Sequence, residues 1–402
     1  MIQDMTRGRP FGLLLRFALP LLVGNIFQLC YGIADTAIVG RVLGAEALAA
    51  VGATTALQFL PFGLFFGLTS GLTIVTAQRF GAGDHDGVRH SVAMSAYIAA
   101  ALTAVCSLVF VFGARWMLQL LHTPQSIFPE AEQYLTLILG GSCSLVFYVM
   151  LSSILRAQGD SVSTLYYLIF SCLVNIGLDY WFLTSFGWGV RGAAAATVIS
   201  QAVSSLLCVR YIRHCDLIVL TRRDWKLDKT CVKRLIGMGV PTGLQYSITA
   251  IGSIVLQASV NLLGSSYVAS VAAGAKVSQL FCCTFDALGS TMATYGGQNV
   301  GAGRLERIGK GLKSCSVIGI VYSLAAFGVL SAFGGNLSQM FMDAKETLVI
   351  ANSALFLTVN SAAYIPLAFV NIVRFLIQGL GFTRQAVFAG ALEMTARVIV
   401  GV

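Results

Sequence analysis

Two polar residues stand one helical turn apart inside a long apolar run. Asn175 and Asp179 are four positions apart, so on a helix they share one face and direct an amide carbonyl and a carboxylate into the same small volume. Such oxygens suit a hard cation such as Na⁺, or a proton shared between carboxylates. The alternative is that Asp179 lies near headgroup depth and is simply solvated.

A second carboxylate is available from Asp35, which closes the first apolar run of the chain. Acidic residues at membrane depth are costly and usually face a cavity or a partner. Asp35 would join Asp179 if the helices that carry them are neighbours. Its place near the predicted outer end of the run leaves open that it, too, is only solvated. Thr197, on a later helix rich in small residues, could add a hydroxyl to the same pocket.

The remaining charges inside apolar runs form a second, weaker group. Glu393 and Arg397 are four apart and are expected to form an ion pair within one helix. Lys276 and Asp286 are ten apart, which places them on opposed helix faces, so Lys276 is expected to snorkel to the membrane surface. Together with Gln245, three of these side chains, Lys276, Asp286 and Glu393, are candidates for a polar cavity.

The elements that position these residues are membrane spans. The chain is 56% hydrophobic and only 11% charged, whereas ordinary soluble domains carry about 25% charged residues. A span needs about 20 apolar residues. Runs of that kind lie at roughly 11–35, 47–77, 90–113, 131–154, 162–184, 190–212, 235–261, 268–296, 311–334, 350–373 and 384–402. These runs predict an all-α polytopic membrane protein.

The basic residues assign the two sides. With the N-terminus inside, twenty Lys and Arg fall in inside loops and four fall outside: Arg41, Arg115, Arg191 and Lys345. This asymmetry predicts a cytoplasmic N-terminus. The net charge of +9 is then explained by the orientation of the protein in the membrane and by contact with the lipid bilayer. No nucleic-acid partner is expected, because no basic stripe is interleaved with exposed aromatic residues.

An internal repeat organises the chain. Gln78-x-x-Gly-Ala-Gly returns as Gln298-x-x-Gly-Ala-Gly, and the same offset of 220 aligns Leu43-Gly44 with Leu263-Gly264. An even number of spans per unit makes the repeats parallel. We therefore predict two six-helix lobes: an N-lobe at 1–212, a cytoplasmic linker at 213–234 and a C-lobe at 235–402. The Gly-Ala-Gly segments lack the Lys-Ser/Thr of a phosphate loop and are predicted to be hairpin turns. At the 220 offset the chain ends before a sixth C-lobe helix, so we expect a C-lobe of five helices in a truncated chain.

Several segments together resemble the multidrug and toxic compound extrusion (MATE) family over essentially the whole chain. They are Pro20, the run 35–41, Leu43-Gly44, the run 47–52, both Gln-x-x-Gly-Ala-Gly segments, Asn175 with Asp179, and Thr197. The resemblance implies two lobes around a V-shaped cleft and export of organic cations by antiport with H⁺ or Na⁺. It also implies that Asp35, Asn175, Asp179 and Thr197 form the coupling site, which would hold Na⁺ if Na⁺ is the coupling ion. Gln245 stands where the NorM-like branch has an acid, so the resemblance is to DinF-like members.

The expected function is therefore a secondary antiporter of amphipathic organic cations or drugs, working by alternating access as a monomer in the bacterial cytoplasmic membrane, with no cofactor. A flippase for a lipid-linked precursor is the alternative. It predicts a cleft lined with Arg or Lys, and the predicted spans hold only Lys276 and Arg397. An enzyme is not expected, because neither a His-Glu metal motif nor Gly-x-Ser-x-Gly occurs within the spans.

Overall fold

A computed structural model describes residues 2–121, 123–214, 219–340 and 346–401, and these residues form thirteen α-helices. Lys345, Val402 and part of the predicted linker lie outside the described residues. The helices are α1 (Pro10–Leu43), α2 (Ala45–Gly81), α3 (His85–Leu120), α4 (Phe128–Gly140), α5 (Ser142–Ala157), α6 (Ser161–Thr184), α7 (Val190–His214), α8 (Lys229–Asn261), α9 (Ser265–Gly301), α10 (Leu305–Ser338), α11 (Thr347–Ala362), α12 (Tyr364–Gly379) and α13 (Thr383–Gly401).

Six of the described helices are long and apolar enough to cross a membrane. Nine spans qualify if three bent units each count as one: α4 with α5, α11 with α12, and α2, whose parts Ala45–Phe59 and Pro61–Gly81 meet at 42°. Helices α8 and α13 do not qualify, because Gln, Ser and Thr interrupt α8 and three charged residues lie in α13. They nevertheless belong to the bundle, since α8 packs along both α2 and α13. The all-helical, polytopic architecture is confirmed. The sequence predicted eleven spans, two more than the nine that meet the length and composition test, and the two additional runs are α8 and α13.

Each half of the chain contains a broken helix pair at the same place in the repeat. Helices α4 and α5 meet at 44°, and α11 and α12 meet at 51°. Hydropathy predicted each pair as one continuous run, at 131–154 and 350–373. Gly141, at the first break, packs against Val198 of α7, where any larger residue would collide. The break therefore lets α5 turn without losing contact with α7.

The first helix of each lobe, in α1–α7 and in α8–α13, packs against its own lobe and also against the other lobe. Leu14 and Phe17 of α1 are fully buried in a core built mostly from α9, α10 and α12. Conversely, Leu235 of α8 is buried against α2 and α3. Gly67 and Gly71 of α2 lie so close to the backbone of α8 that a Cβ on either would approach it within 2.7 Å. Small residues thus allow the lobes to pack closely.

The two Gln-x-x-Gly-Ala-Gly segments lie together at one end of the bundle. Both form the predicted turns, and both also join the lobes. Gln78 donates from Nε2 to the Gly379 carbonyl at 3.2 Å, and Gln298 donates from Nε2 to the Ala157 carbonyl at 2.9 Å. Gly81 packs against the Gln298 carbonyl and Gly301 against the Gln78 carbonyl. We call this end, which also holds residues 3–6, the N-terminal face.

Several helix ends differ from the sequence expectation. Helix α1 continues to Leu43, beyond the predicted end at residue 35. Helix α7 runs to His214 and α8 begins at Lys229, so both helices extend into the predicted linker at 213–234. The predicted boundaries stopped at charged residues, whereas the helices continue through them, α1 past Asp35, α7 through Arg213 and α8 through Arg234. Arg156 and Arg374, which were predicted to lie in loops, lie within α5 and α12.

Candidate functional site

Three helices bring the four predicted coupling residues together. Helix α6 packs against both α1 and α7, so Asn175 and Asp179 face Asp35 on one side and Thr197 on the other. Asn175 is 1% exposed and Asp179 is 0% exposed. Asn175 donates from Nδ2 to Thr197 Oγ1 at 3.3 Å. Their role in coupling stays a prediction, but their convergence is a property of the fold.

The oxygens of this cluster lack donors. Among the described residues, Asn175 Oδ1, both carboxylate oxygens of Asp179 and Oδ1 of Asp35 are buried without a hydrogen-bond partner. The carboxyl groups of Asp35 and Asp179 lie within hydrogen-bonding reach of each other. Two ionised carboxylates can only accept, so a proton or a cation between them supplies what both need. Buried unpaired charge is otherwise strongly unfavourable.

Tyr31 extends the cluster along α1 and was missed by sequence reasoning. It lies one turn before Asp35, and its hydroxyl is 3.4 Å from Thr197 Oγ1. The i, i+4 spacing of Tyr31 and Asp35 on one helix face was a signal that could have identified it. Thr197 therefore contacts both Tyr31 and Asn175, and it ties α1 to α6 through α7.

The start of α6 fixes the depth of its polar residues. Asp160 caps the helix by accepting from the Ser163 backbone N–H at 2.9 Å, and it also accepts from the Tyr211 hydroxyl at 2.7 Å. Burial alone would raise the pKa of Asp160, but hydrogen bonds from Ser163 and Tyr211 outweigh it and lower the pKa below its usual value. On α7, the buried residues Ala193 and Ala196 allow close packing in the N-lobe.

Two cavities adjoin the cluster. A cavity of about 190 Å³ includes Asp35 and Thr197 in its wall, and a cavity of about 120 Å³ lies further toward the N-terminal face. Tyr31, Leu145 and Gln201 line both cavities. Two of the four predicted coupling residues, Asp35 and Thr197, therefore border a cavity that adjoins a second cavity in the N-lobe.

A third cavity lies between the lobes. Its volume is about 50 Å³, and Arg156 lines both it and the 120 Å³ cavity. Its wall contains residues of α2, α5, α9 and α12: Ser70, Thr73, Ile74, Ala77, Ser153, Arg156, Ala157, Ser290, Ala293, Thr294, Phe375 and Gln378. The three cavities therefore form a series of neighbours, from the one beside Asp35, through the N-lobe cavity, to the one between the lobes.

The C-lobe candidates do not form one site. Gln245 is 2% exposed and accepts a hydrogen bond from Gln378. Glu393 pairs with Arg397 at 2.6 Å, as predicted, and with Arg374 at 3.3 Å, which was not predicted. Asp286 is exposed within electrostatic reach of Arg374. Lys276 is exposed and lines none of the three cavities described here, so its place in a polar cavity stays a prediction.

The donor set constrains the ion. In the part of the chain that the structure describes, no cluster of three or more His, Cys, Asp or Glu side chains is present. The Asp35–Asp179 cluster offers two carboxylates, an amide oxygen and a hydroxyl. Oxygen donors of this kind fit Na⁺ or a proton, because zinc-type sites are built mainly from His and Cys.

Comparison with known proteins agrees with the duplicated architecture. The MatE family model matches twice, at residues 20–181 and 241–402. The chain is 30% identical to the probable multidrug resistance protein YpnP of Bacillus subtilis, over 76% of this chain and 68% of that protein. It is 25% identical to the FAD transporter of Shewanella oneidensis, over 90% and 81%. A solved outward-facing structure of a multidrug resistance MATE family transporter superposes with a TM-score of 0.89 at 20% identity, covering 99% of this chain and 95% of that one.

Proposed function

This chain belongs to the MATE family, and we propose that it exports amphipathic organic cations or drugs in exchange for H⁺ or Na⁺. The observation that carries the proposal is the pair of half-buried Asp35 and fully buried Asp179, in which three carboxylate oxygens lack donors beside cavities that adjoin one another as far as the lobe interface. An ion bound at this site stabilises the conformation of the protein in which the site is formed. Cargo and ion are then coupled if they favour opposite states of the cleft.

The closed end of the cleft suits alternating access. Among the described residues, the hydrogen bonds that join the lobes lie at the N-terminal face or near mid-height, as with Gln78, Gln298 and Asn25. We infer that this face is cytoplasmic, because basic residues concentrate there. The structure then corresponds to a state closed toward the cytoplasm. Opening inward requires the Gln78 and Gln298 contacts to separate while the outer ends of the lobes approach.

The N-lobe is the proposed location of ion coupling. Asp35, Asn175, Asp179 and Thr197 match the pattern that the resemblance to DinF-like members implies. At the C-lobe position where the resemblance implies an acid in NorM-like members, Gln245 is a buried amide paired with Gln378. An amide carries no titratable proton, so it does not supply a second proton-coupling site. This supports a DinF-like arrangement with one ion site in the cytoplasmic membrane of a bacterium.

A lipid-precursor flippase gains support from one observation. The sequence disfavoured it because basic residues were predicted to be absent from most spans. The structure places Arg156 and Arg374 within helices, and Arg156 borders two cavities. A relative named for transport of FAD, a molecule with two phosphates, is consistent with anionic cargo in this family. The alternative therefore remains a second candidate.

Reconstitution with separately imposed ion gradients tests the main proposal. The purified chain is incorporated in liposomes loaded with a fluorescent organic cation, and release is followed under an Na⁺ gradient or a pH gradient alone. One gradient is expected to accelerate release, and an ionophore that collapses it is expected to abolish the effect. Release that responds to neither gradient would overturn ion-coupled antiport.

A further inference from the structure

Arg156 is the basic residue that sits where the lobes and cavities meet. It lies at the end of helix α5, one residue before the Ala157 carbonyl that accepts from Gln298 of the other lobe. Its side chain lines both the 120 Å³ cavity inside the N-lobe and the 50 Å³ cavity between the lobes. A group bound at Arg156 would therefore be accessible from the N-lobe hollow and from the lobe interface.

The guanidinium of Arg156 has spare hydrogen-bonding capacity. It donates from Nη2 to Ser153 Oγ at 2.6 Å, and within the described residues no other protein acceptor and no carboxylate partner is found. A guanidinium carries five N–H donors in a planar fork that matches carboxylate and phosphate. Most of that fork is available to a ligand.

Two arginines of the C-lobe differ from Arg156 in having a carboxylate partner. Arg374 and Arg397 both contact the Glu393 carboxylate. Their charges are therefore compensated inside the protein, as expected for cations withdrawn from water. Arg156 is half-buried in the last turn of α5, and among the described residues it has no such carboxylate partner. An anion from outside the protein would compensate its charge.

The surroundings of Arg156 are suited to an anion and an attached apolar body. Hydroxyls of Ser70, Thr73, Ser290 and Thr294 line the interlobe cavity. The adjoining N-lobe cavity adds Phe66 and other apolar residues. Hydroxyls donate to anionic oxygens, while aromatic and aliphatic walls cover an uncharged skeleton.

We propose that Arg156 forms a subsite for an anionic group, a carboxylate or a phosphate, on the transported molecule. This inference rests on the proposed transport function and narrows the cargo to compounds that carry such a group beside their apolar or cationic body. The fork of Arg156 binds the anion, Ser153 holds the fork in place, and separation of the lobes dismantles the interlobe wall and weakens the binding.

A matched dye pair tests the subsite by equilibrium binding to the purified protein in detergent. Rhodamine 19 carries a free carboxylate, and rhodamine 6G is its ethyl ester, so the two share a cationic ring system and differ at one group. Wild type is expected to bind the acid at least about tenfold more tightly than the ester, the difference that one charge-assisted hydrogen bond provides. Equal binding, or preference for the ester, overturns the proposal without requiring any variant.

Two variants separate anion recognition from a structural role. Arg156→Gln is expected to remove the preference for the acid while leaving the affinity for the ester within about twofold of wild type. Arg156→Lys is expected to retain part of the preference, because the positive charge remains although the planar guanidinium is lost. Arg374→Gln, which removes a guanidinium already paired with Glu393, is the control and should retain the preference. Equal weakening of both dyes by Arg156→Gln would contradict the subsite.

The same assay identifies the source of the anion. Displacement of rhodamine 19 by phosphatidylglycerol, with diacylglycerol as the control that lacks the phosphate, supports a lipid phosphate at the subsite, and displacement by benzoate supports a soluble carboxylate. Failure of every anion to displace the acid would overturn the proposal. Because binding is measured without a gradient, its failure leaves the ion-coupling proposal intact, and the converse also holds.

Discussion

Asn175 Nδ2 donates a hydrogen bond to Thr197 Oγ1 across 3.3 Å, joining α6 to α7. This bond fixes the orientation of the amide, so that its oxygen is left buried without a donor. The Asn175 oxygen and the carboxylates of Asp179 and Asp35 are then three neighbouring acceptors that a cation or proton can satisfy. A hydrogen bond between two neutral side chains thus prepares a site for positive charge.

Replacing Thr197 by Val tests this preparation. Val preserves the shape but removes the acceptor for Asn175 and the hydroxyl that Tyr31 contacts. The loss of one buried hydrogen bond corresponds to about 1–3 kcal/mol, so the ion concentration for half-maximal efflux should rise about tenfold or more. Initial efflux rates measured across a series of Na⁺ or H⁺ concentrations give this value. Thr184→Val, at the exposed end of α6, should leave the value unchanged, and an equal shift in both variants would refute the argument.

The close contact between the two Gln-x-x-Gly-Ala-Gly segments predicts that a larger residue at Gly301 destabilises the fold. Any side chain at Gly301 collides with the Gln78 carbonyl, whereas a methyl group on Gly309 would have no neighbouring atom within 4 Å. Gly301→Ala is expected to lower the melting temperature by about 3 °C or more, since overpacking costs about 1–3 kcal/mol. Gly309→Ala should be neutral or slightly stabilising. Unfolding can be followed with a thiol-reactive dye that reports exposure of buried cysteines such as Cys231 and Cys315. Equal melting temperatures for the two variants would contradict close packing of Gly301 against the Gln78 carbonyl.

The shared carboxylate of the C-lobe predicts unequal effects within one cluster. Glu393→Gln leaves both Arg374 and Arg397 without their carboxylate, whereas Arg397→Gln leaves Glu393 paired with Arg374. Removing the shared anion should therefore lower the melting temperature more than removing one cation. Thermal unfolding of the two variants in the same detergent checks this order. The reverse order would show that the cluster is held by other contacts.

The cap of α6 predicts a pH-dependent contribution to stability. Hydrogen bonds lower the pKa of Asp160 in the folded protein below its unfolded value of about 3.9. Its ionised form therefore stabilises the fold fully above that unfolded value, and this stabilisation is lost as the pH falls through the lower, folded pKa. Asp160→Asn should melt below wild type at pH 7, and the difference should shrink toward pH 3. A difference that is independent of pH would contradict the role of the charge.

Some of the site could be predicted from local spacing. The four-residue interval placed Asn175 and Asp179 on one face, and the same rule gave the Glu393–Arg397 pair, because both depend only on the period of a helix. The meeting of Asp35 with Asp179 was a conditional prediction, since it requires α1 and α6 to be neighbours. That contact is a tertiary fact, and no spacing within either helix determines it.

Other features depended on where helices end and how lobes meet. Hydropathy assigns charged residues to loops, so Arg156 and Arg374 were placed outside the spans, although each lies within a helix. The Gly-Ala-Gly segments were correctly predicted as turns from their composition. Their second role, in which Gln78 and Gln298 each reach the opposite lobe, arises only when the two copies face each other.

The most direct test of ion coupling is efflux by the Asp179→Asn variant in proteoliposomes under the gradient that drives wild type. Asn has the same size but cannot take up a proton, and it weakens cation binding by removing a full charge. Asp86→Asn, at an exposed position on α3, is the matched carboxylate control, and melting temperatures establish that both variants are folded. We expect Asp179→Asn to lose gradient-driven efflux while Asp86→Asn retains it. Gradient-driven efflux at the wild-type rate by Asp179→Asn would contradict ion coupling at the Asp35–Asp179 cluster.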